Sequence, residues 1–261
     1  MKSIVNYREA DGSIINFEAH SSLISPVALA RYYAAEKHYP DRYVVFTEKL
    51  IKPNANSKKK DMESEAEYGI FMSCILRPSI FPSQASMLSA MSTVAAAAGL
   101  QEHTKSTVGI GWVNDIYCDK MKIGSVTIEG KLDDFTTYEY ILVSFNIKIT
   151  KESFPPRLKD LVKKVFQTEN TSVNMVIART IVSHFFKLYQ NLRTPEAFME
   201  TYNDMFAFRG KRVKYLRDEK WKTHKVLGID SKKGTLILDN GKHAPIHVSS
   251  PALIQNPKKI R

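Results

Sequence analysis

The chain has 261 residues, 43% hydrophobic and 25% charged, with a net charge of +11. That length supplies enough interior for one large or two modest domains without staples, and no stretch approaches the roughly 20 apolar residues of a membrane-spanning helix. Cys74 and Cys118 stand in apolar or strand-like surroundings with no ligand spacing, which argues for reduced thiols in a cytoplasmic protein and against a disulfide scaffold or thiolate metal site. Glu9 and Asp11 come early and no apolar core follows them, unlike a secretory signal.

Ile4-Val5 and Ile14-Ile15-Asn16-Phe17, parted by Ala10-Asp11-Gly12, predict a short hairpin. Ser25-Pro26 opens a helix from Val27 to Lys37, with proline in the first turn where its missing N–H costs nothing. Residues 42–47 read as a strand by β-branched and aromatic content. Ile51 to Ala66 is rich in Lys, Asn, Ser and Glu and has no apolar period. It is a solvated loop of a length that usually has a function or is disordered. Residues 68–76 form a buried strand, and Pro82 precedes a helix that Gly99 is expected to end.

Residues 111–129 read as two strands joined by a polar turn at Cys118-Asp119-Lys120. Asn114 and Asp115 precede an apolar run, and Lys122 stands between Met121 and Ile123. A lysine so flanked is either an edge residue reaching for water or a cation held for an anion. A strand follows over 138–150. Helices are expected after Pro155-Pro156, from Ser172 to Leu192, and from Pro195 to about Met205 with Thr194 as N-cap. Past Gly210 come four short strands, 212–216, 224–229, 235–238 and 245–248, separated by Asp218-Glu219, Lys232-Lys233-Gly234 and Asn240-Gly241. They make a small barrel or half-barrel.

The charge is uneven. Residues 207–261 hold fourteen Lys/Arg against four Asp/Glu, so +10 of the +11 lies there and the first 206 residues carry about +1. Such a module can meet nucleic acid, a membrane surface or an acidic protein, and charge alone does not choose. Few stacking aromatics beyond Tyr215 and Trp221 disfavour nucleic acid.

Trp112-Val113-Asn114-Asp115-Ile116-Tyr117, followed by Lys122-Ile123-Gly124 and Glu129, resembles the signature hairpin of biotin protein ligases. The order of elements from about Ser21 to Ile254 is similar to that family too. The resemblance implies an α+β fold: a class II synthetase-like catalytic domain, with a mixed sheet and helices, over 1–206, then a small SH3-like β-barrel over 207–261. It implies ATP-dependent formation of biotinyl-5'-AMP and transfer of biotin to a lysine of a carboxylase's carboxyl carrier domain, without a membrane. ATP, Mg²⁺ and biotin are the ligands, with no metal held by a protein site.

Carried over residue by residue, Lys122 matches the lysine that neutralises charge between carboxylate and α-phosphate. Asp115 matches the acidic residue that orients or deprotonates the acceptor amine. Asn114 matches a contact on the nucleotide side, Trp112 an apolar wall, and Asn146 the asparagine near the adenosine. Gly124 closes the lysine motif, and Ser21-Ser22 resembles the family's biotin-contacting Ser-Thr.

The chain also departs from the family. Where a Gly/Arg-rich loop is usual after the strand ending at Thr47, it has Lys58-Lys59-Lys60 in a segment without glycine or arginine. Those lysines are the candidates for closing over the ligand, though they lack arginine's planar two-pronged contact. Gly111 replaces a lysine, Ser125 a glycine, and Leu23 an asparagine. Two explanations stand: a ligase that closes its site differently, on biotin or on another acid such as lipoate, or a non-catalytic ligase fold turned to protein or RNA binding.

Overall fold

The structure, a computed structural model, describes residues 2–8, 12–51, 66–82, 85–149, 172–192, 194–231 and 234–255. Lys58, Lys59 and Lys60 lie outside these residues, as does the helix expected after Pro155-Pro156.

The first hairpin forms as its pattern predicts, β1 (Lys2–Arg8) pairing antiparallel with β2 (Ile14–His20). α1 (Pro26–Ala35) starts where the Ser25 hydroxyl accepts from Ala28 N–H at 3.2 Å, with Pro26 in the first turn. It crosses the sheet so that β3 (Tyr43–Leu50) lies parallel to β2. Then come β4 (Glu67–Leu76), α2 (Ala85–Gln101), β5 (Val108–Gly111), β6 (Asp115–Cys118), β7 (Met121–Leu132) and β8 (Tyr138–Lys148). The eight strands form one mixed sheet in the order β1-β2-β3-β4-β8-β7-β6-β5.

Alternation decides what each sheet face meets. On one face Tyr43, Val45, Ile75, Tyr140 and Leu142 pack against Ala30 and Ala34 of α1. The other face is covered by α2, α3 (Val173–Tyr189) and α4 (Glu196–Asp204) in a continuous apolar core. Ser172 caps α3 by accepting from Met175 N–H at 3.1 Å. α4 starts at Glu196 rather than at the expected proline. The Thr194 hydroxyl donates to Asn191 O instead of capping the helix.

Gly99 does not end its helix, which runs on to Gln101. A Cβ there would stand 2.9 Å from Ile181 Cα, so the glycine lets α2 and α3 approach each other. The stop signal in the sequence is in fact a packing requirement.

The C-terminal strands are β9 (Arg212–Arg217), β10 (Lys220–Ile229), β11 (Leu236–Leu238), β12 (Ile246–Val248) and β13 (Ile254–Gln255), in an antiparallel sheet ordered β12-β11-β10-β9-β13. Strand β10 serves two neighbours. Its first part pairs with β9 and its end with β11, and the register breaks between Val226 and Gly228, which bends the sheet into a half-barrel. Both residues of the β9–β10 turn, Asp218 and Glu219, take positive φ, as this turn demands. Val213, Val226, Leu236, Leu238 and Val248 join the same core as the large sheet.

Candidate active site

The expected long hairpin arm over 111–117 is broken. Trp112, Val113 and Asn114 form a turn between β5 and β6, so residues 108–132 are a three-stranded meander whose second turn lies at Asp119-Lys120. The break places Asp115 at the start of a strand and frees the backbone of 112–114 to be held from two sides. Asn114 and Val126 bind reciprocally: Val126 N–H donates to Asn114 O at 2.9 Å, and the Asn114 amide donates to Val126 O. From the helical side, the hydroxyl of buried Tyr202 donates to Val113 O at 2.9 Å. Trp112 is buried too, its indole N–H donating to Gly234 O of the C-terminal module at 3.0 Å.

Asp115 belongs to a rung that crosses six strands. Backbone register pairs His20 with Thr47, Thr47 with Phe71, Phe71 with Asn146, Asn146 with Ser125 and Ser125 with Asp115. Directly opposed residues share a face, and period two from Val45 and Leu142 puts this rung on the face that α1 covers, just past the helix's N-terminal end. Asn146 is exposed there, beside a recess of about 70 Å³ lined by Ile24, Ser25, Leu50 and Ser144. Ser21 and Ser22 run into Leu23, which pairs with Leu50 at the same end of the sheet.

Lys122 reaches across from β7 to Asp115, Nζ to Oδ1, at 2.6 Å. The two ends differ in burial, with the lysine side chain 38% exposed and the carboxylate 8%. A half-exposed ammonium anchored on a buried carboxylate can swing to an incoming anion, and the carboxylate it leaves can accept a proton. Burial, reinforced by the charge of Asp115, pushes the hydroxyls of Tyr117 and Tyr202 up, so both remain neutral donors. Burial likewise raises the Cys118 and Cys74 thiols, leaving neither a ready nucleophile.

The sequence singled out residues with different tasks in the structure. Asp115 and Asn146 lie on the rung, the first buried and the second exposed, while Ser21 and Ser22 follow His20 at its end and Lys122 reaches it through Asp115. Trp112 points elsewhere, lining a cleft of about 380 Å³ with Tyr202, Met199 and Ile229. Gly124 lets β7 and β8 approach, since a Cβ there would meet Asn146 O at 2.3 Å. Glu129 accepts from Arg31 Nε at 3.0 Å and from its Nη2 at 2.6 and 2.8 Å, tying α1 to β7. Gly111, where the family has lysine, is closed to any side chain: a Cβ would stand 2.6 Å from Tyr117 and 2.9 Å from Phe208, whose rings pack edge-on.

Sequence reasoning missed Tyr202, because it reads as one more apolar position of a helix. It also missed Glu18, fully buried, whose carboxylate accepts from Tyr33 at 2.9 Å and from Tyr43, and meets His20 at 2.6 Å and Lys2 at 2.9 Å. Burial alone would raise this carboxyl, but the bonds from Tyr43, Lys2, His20 and Tyr33 outweigh it and hold it below its ordinary value.

Comparison with solved structures finds the same fold in a biotin protein ligase from Aquifex aeolicus in complex with biotin and ATP (TM-score 0.61, 16% identity, 92% of this chain and 97% of that one). It also finds it in a biotin protein ligase-like protein of unknown function from Silicibacter sp. (TM-score 0.59, 12% identity, 94% and 96%). The architecture is thus that of the biotin protein ligases. Among curated proteins, the Bifunctional ligase/repressor BirA of Bacillus spizizenii is 23% identical over 177 residues, 67% of this chain and 54% of that protein. The chain therefore spans about half the length of this relative. Residues 65–146, which hold the meander and the rung from Phe71 to Asn146, match the model of the biotin/lipoate A/B protein ligase family. Over those residues the chain is similar to that family, and its fold is the one these ligases share.

Proposed function

We propose that this protein is a biotin–protein ligase, joining biotin to AMP from ATP and passing the biotinyl group to a lysine of a carboxyl carrier domain. The observation that carries this reading is the Lys122–Asp115 pair at 2.6 Å, a partly exposed ammonium on a buried carboxylate, within the segment that matches the family model. A carboxylate and an α-phosphate repel each other, and a fixed ammonium placed between them offsets that repulsion where charge develops. In this reading Lys122 leaves Asp115 for the phosphate. Asp115 then accepts the proton of the acceptor amine as its nitrogen bonds to the acyl carbon of the mixed anhydride and the C–O bond breaks, releasing AMP. Asn146 faces the adenosine, while Ser21, Ser22 and the rung beside them face biotin. Asn114, Trp112 and Gly124 hold the frame. Lys58, Lys59 and Lys60 close over the ligand as point charges.

Mg²⁺ enters on the phosphates of ATP, which is how this ion usually binds; among the described residues no group of three His, Cys, Asp or Glu is placed to hold a metal. The same reading assigns 1–206 to catalysis and 207–261 to the basic module. It also places the protein in the cytoplasm; no helix of the described residues is long and apolar enough to cross a membrane. The test is to incubate the protein with ATP, Mg²⁺, biotin and a carboxyl carrier domain. ATP-dependent labelling of the carrier is expected, and lipoate in place of biotin is expected to give none. Absence of both carrier label and enzyme-bound adenylate would refute the reading.

A further inference from the structure

The β9–β10 ribbon carries a solvent face that the proposed chemistry does not use. Register pairs Arg212 with Lys225, Lys214 with Thr223 and Leu216 with Trp221, so these side chains share one face. Leu227 continues it at period two, while Val213 and Val226 point the other way into the core. On this face Arg212, Lys214 and Lys225 are exposed, and among the described residues none of them is ion-paired. Two large apolar side chains flank them, Trp221 at 49% exposure and Leu227 at 41%. Among the described residues the neighbouring strand β13 adds Gln255 to this face, opposite Lys214.

A row of unpaired cations bracketed by exposed Trp and Leu is unlike a merely solvated surface. It has the composition of a protein interface, where Trp and Arg supply the anchors. Among the described residues one carboxylate, Asp239, lies beside the face, its backbone N–H donating to Lys225 O at 2.8 Å; three cations against it select a partner of opposite charge. Nucleic acid fits less well, because binding a strand along such a sheet relies on successive bases stacking on several rings. This face has one ring. Tyr215 lies on the opposite face, edge-on to His224 at 5.8 Å.

We propose that this face docks an acidic surface of the protein that carries the acceptor lysine. The inference rests on the ligase reading. The module is joined to the turn that precedes Asp115 by the Trp112–Gly234 hydrogen bond of 3.0 Å, so a partner seated on it is held in a fixed relation to that turn. The remaining 206 residues carry about +1 and add little to the field. Attraction at such a face acts on encounter, which appears in KM for the acceptor and falls as salt rises.

The test uses the full-length protein, an acidic carboxyl carrier domain and the variant R212E/K214E/K225E. Adenylate formation from biotin and ATP, measured without carrier, reports folding and an intact site. It is expected to equal the wild-type rate. KM for the carrier is expected to rise about tenfold with kcat little changed. Raising salt from about 0.05 M to about 0.5 M should weaken wild-type carrier use and leave the variant nearly flat. Normal adenylate formation with an unchanged KM refutes the proposal alone. So does binding of a 30-nucleotide RNA that the variant loses while KM stays the same, which would make the face a nucleic-acid surface. No adenylate from the wild-type protein refutes the ligase reading and this proposal with it.

Discussion

Replacing Lys122 by Met keeps most of the side chain's stem and removes its charge. The wild-type ammonium sits 2.6 Å from the Asp115 carboxylate. At an effective dielectric near 20 the attraction at that distance is about 6 kcal/mol. Most of it is offset by desolvating Asp115 and by fixing a long side chain. Exposed pairs net about 0–1 kcal/mol, while breaking a fully buried pair costs about 3–5 kcal/mol. With one end 38% exposed and the other 8%, Lys122→Met should lower stability by about 1–2 kcal/mol. For a chain of this size that is a drop in Tm of about 2–8 °C.

Activity should fall much further. Losing one fixed charge aimed at a developing anion costs about 10²–10³ in rate. Single-turnover adenylate formation, followed by pyrophosphate release, measures that step without the acceptor. Asp115→Asn provides the contrast, because it should slow transfer to the carrier more than adenylate formation. Lys122→Arg should rescue poorly, since a planar fork does not replace a compact ammonium. A folded Lys122→Met protein that forms adenylate within tenfold of the wild-type rate would refute the role given to this lysine.

Three further outcomes follow from the geometry. Tyr202→Phe keeps the ring near Phe206 but loses the 2.9 Å bond to Val113 O. It should cost about 1 kcal/mol in thermal unfolding and lower kcat about tenfold by loosening the turn before Asp115; an unchanged kcat would show that the turn holds without it. Gly111→Ala forces a Cβ to within 2.6 Å of the Tyr117 ring. Calorimetry should therefore show a loss of about 1–3 kcal/mol, and an unshifted Tm would contradict the packing described. Glu18 has its carboxyl held below the ordinary 4.5, so its stabilisation is present above that pH and lost as pH falls through the lower folded value. Glu18→Gln should lower Tm at neutral pH by about 5 °C and flatten the fall of Tm below about pH 4.5. Parallel acid curves for variant and wild type would count against it.

Local signals were legible where local chemistry decides the outcome. Ser25 with Pro26, Ser172, the first hairpin and the turn at Asp218-Glu219 stand where their residue types require them. Glycines misled because their neighbours come from far along the chain. Gly99 reads as a helix end until Ile181 is seen against it, and Gly111 reads as a lost lysine until Tyr117 and Phe208 fill its space. The candidate site was half legible. The motif singled out Lys122 and Asp115, which the structure pairs at 2.6 Å, and register sets Asn146 on the rung of Asp115. The tasks of Trp112 and Asn114 depend on Gly234 and Val126, and no spacing rule reaches those partners. Glu18 was invisible for the same reason, since its hydroxyl donors arrive from α1 and β3.

The hydrogen bonds that fix the turn at 112–114 reach far along the chain, Tyr202 lying 89 residues from Val113 and Gly234 lying 122 residues from Trp112. Contacts of such separation form late, because loop closure must precede them. During synthesis at about 5–20 residues per second, roughly ten seconds pass between the emergence of the turn and that of its last partner. For that interval a nascent chain can hold the strands of the large sheet while the peptide leading into Asp115 still lacks these two restraints. The order in which the ribosome delivers the chain thus makes Gly234 the later of these two partners to reach the turn.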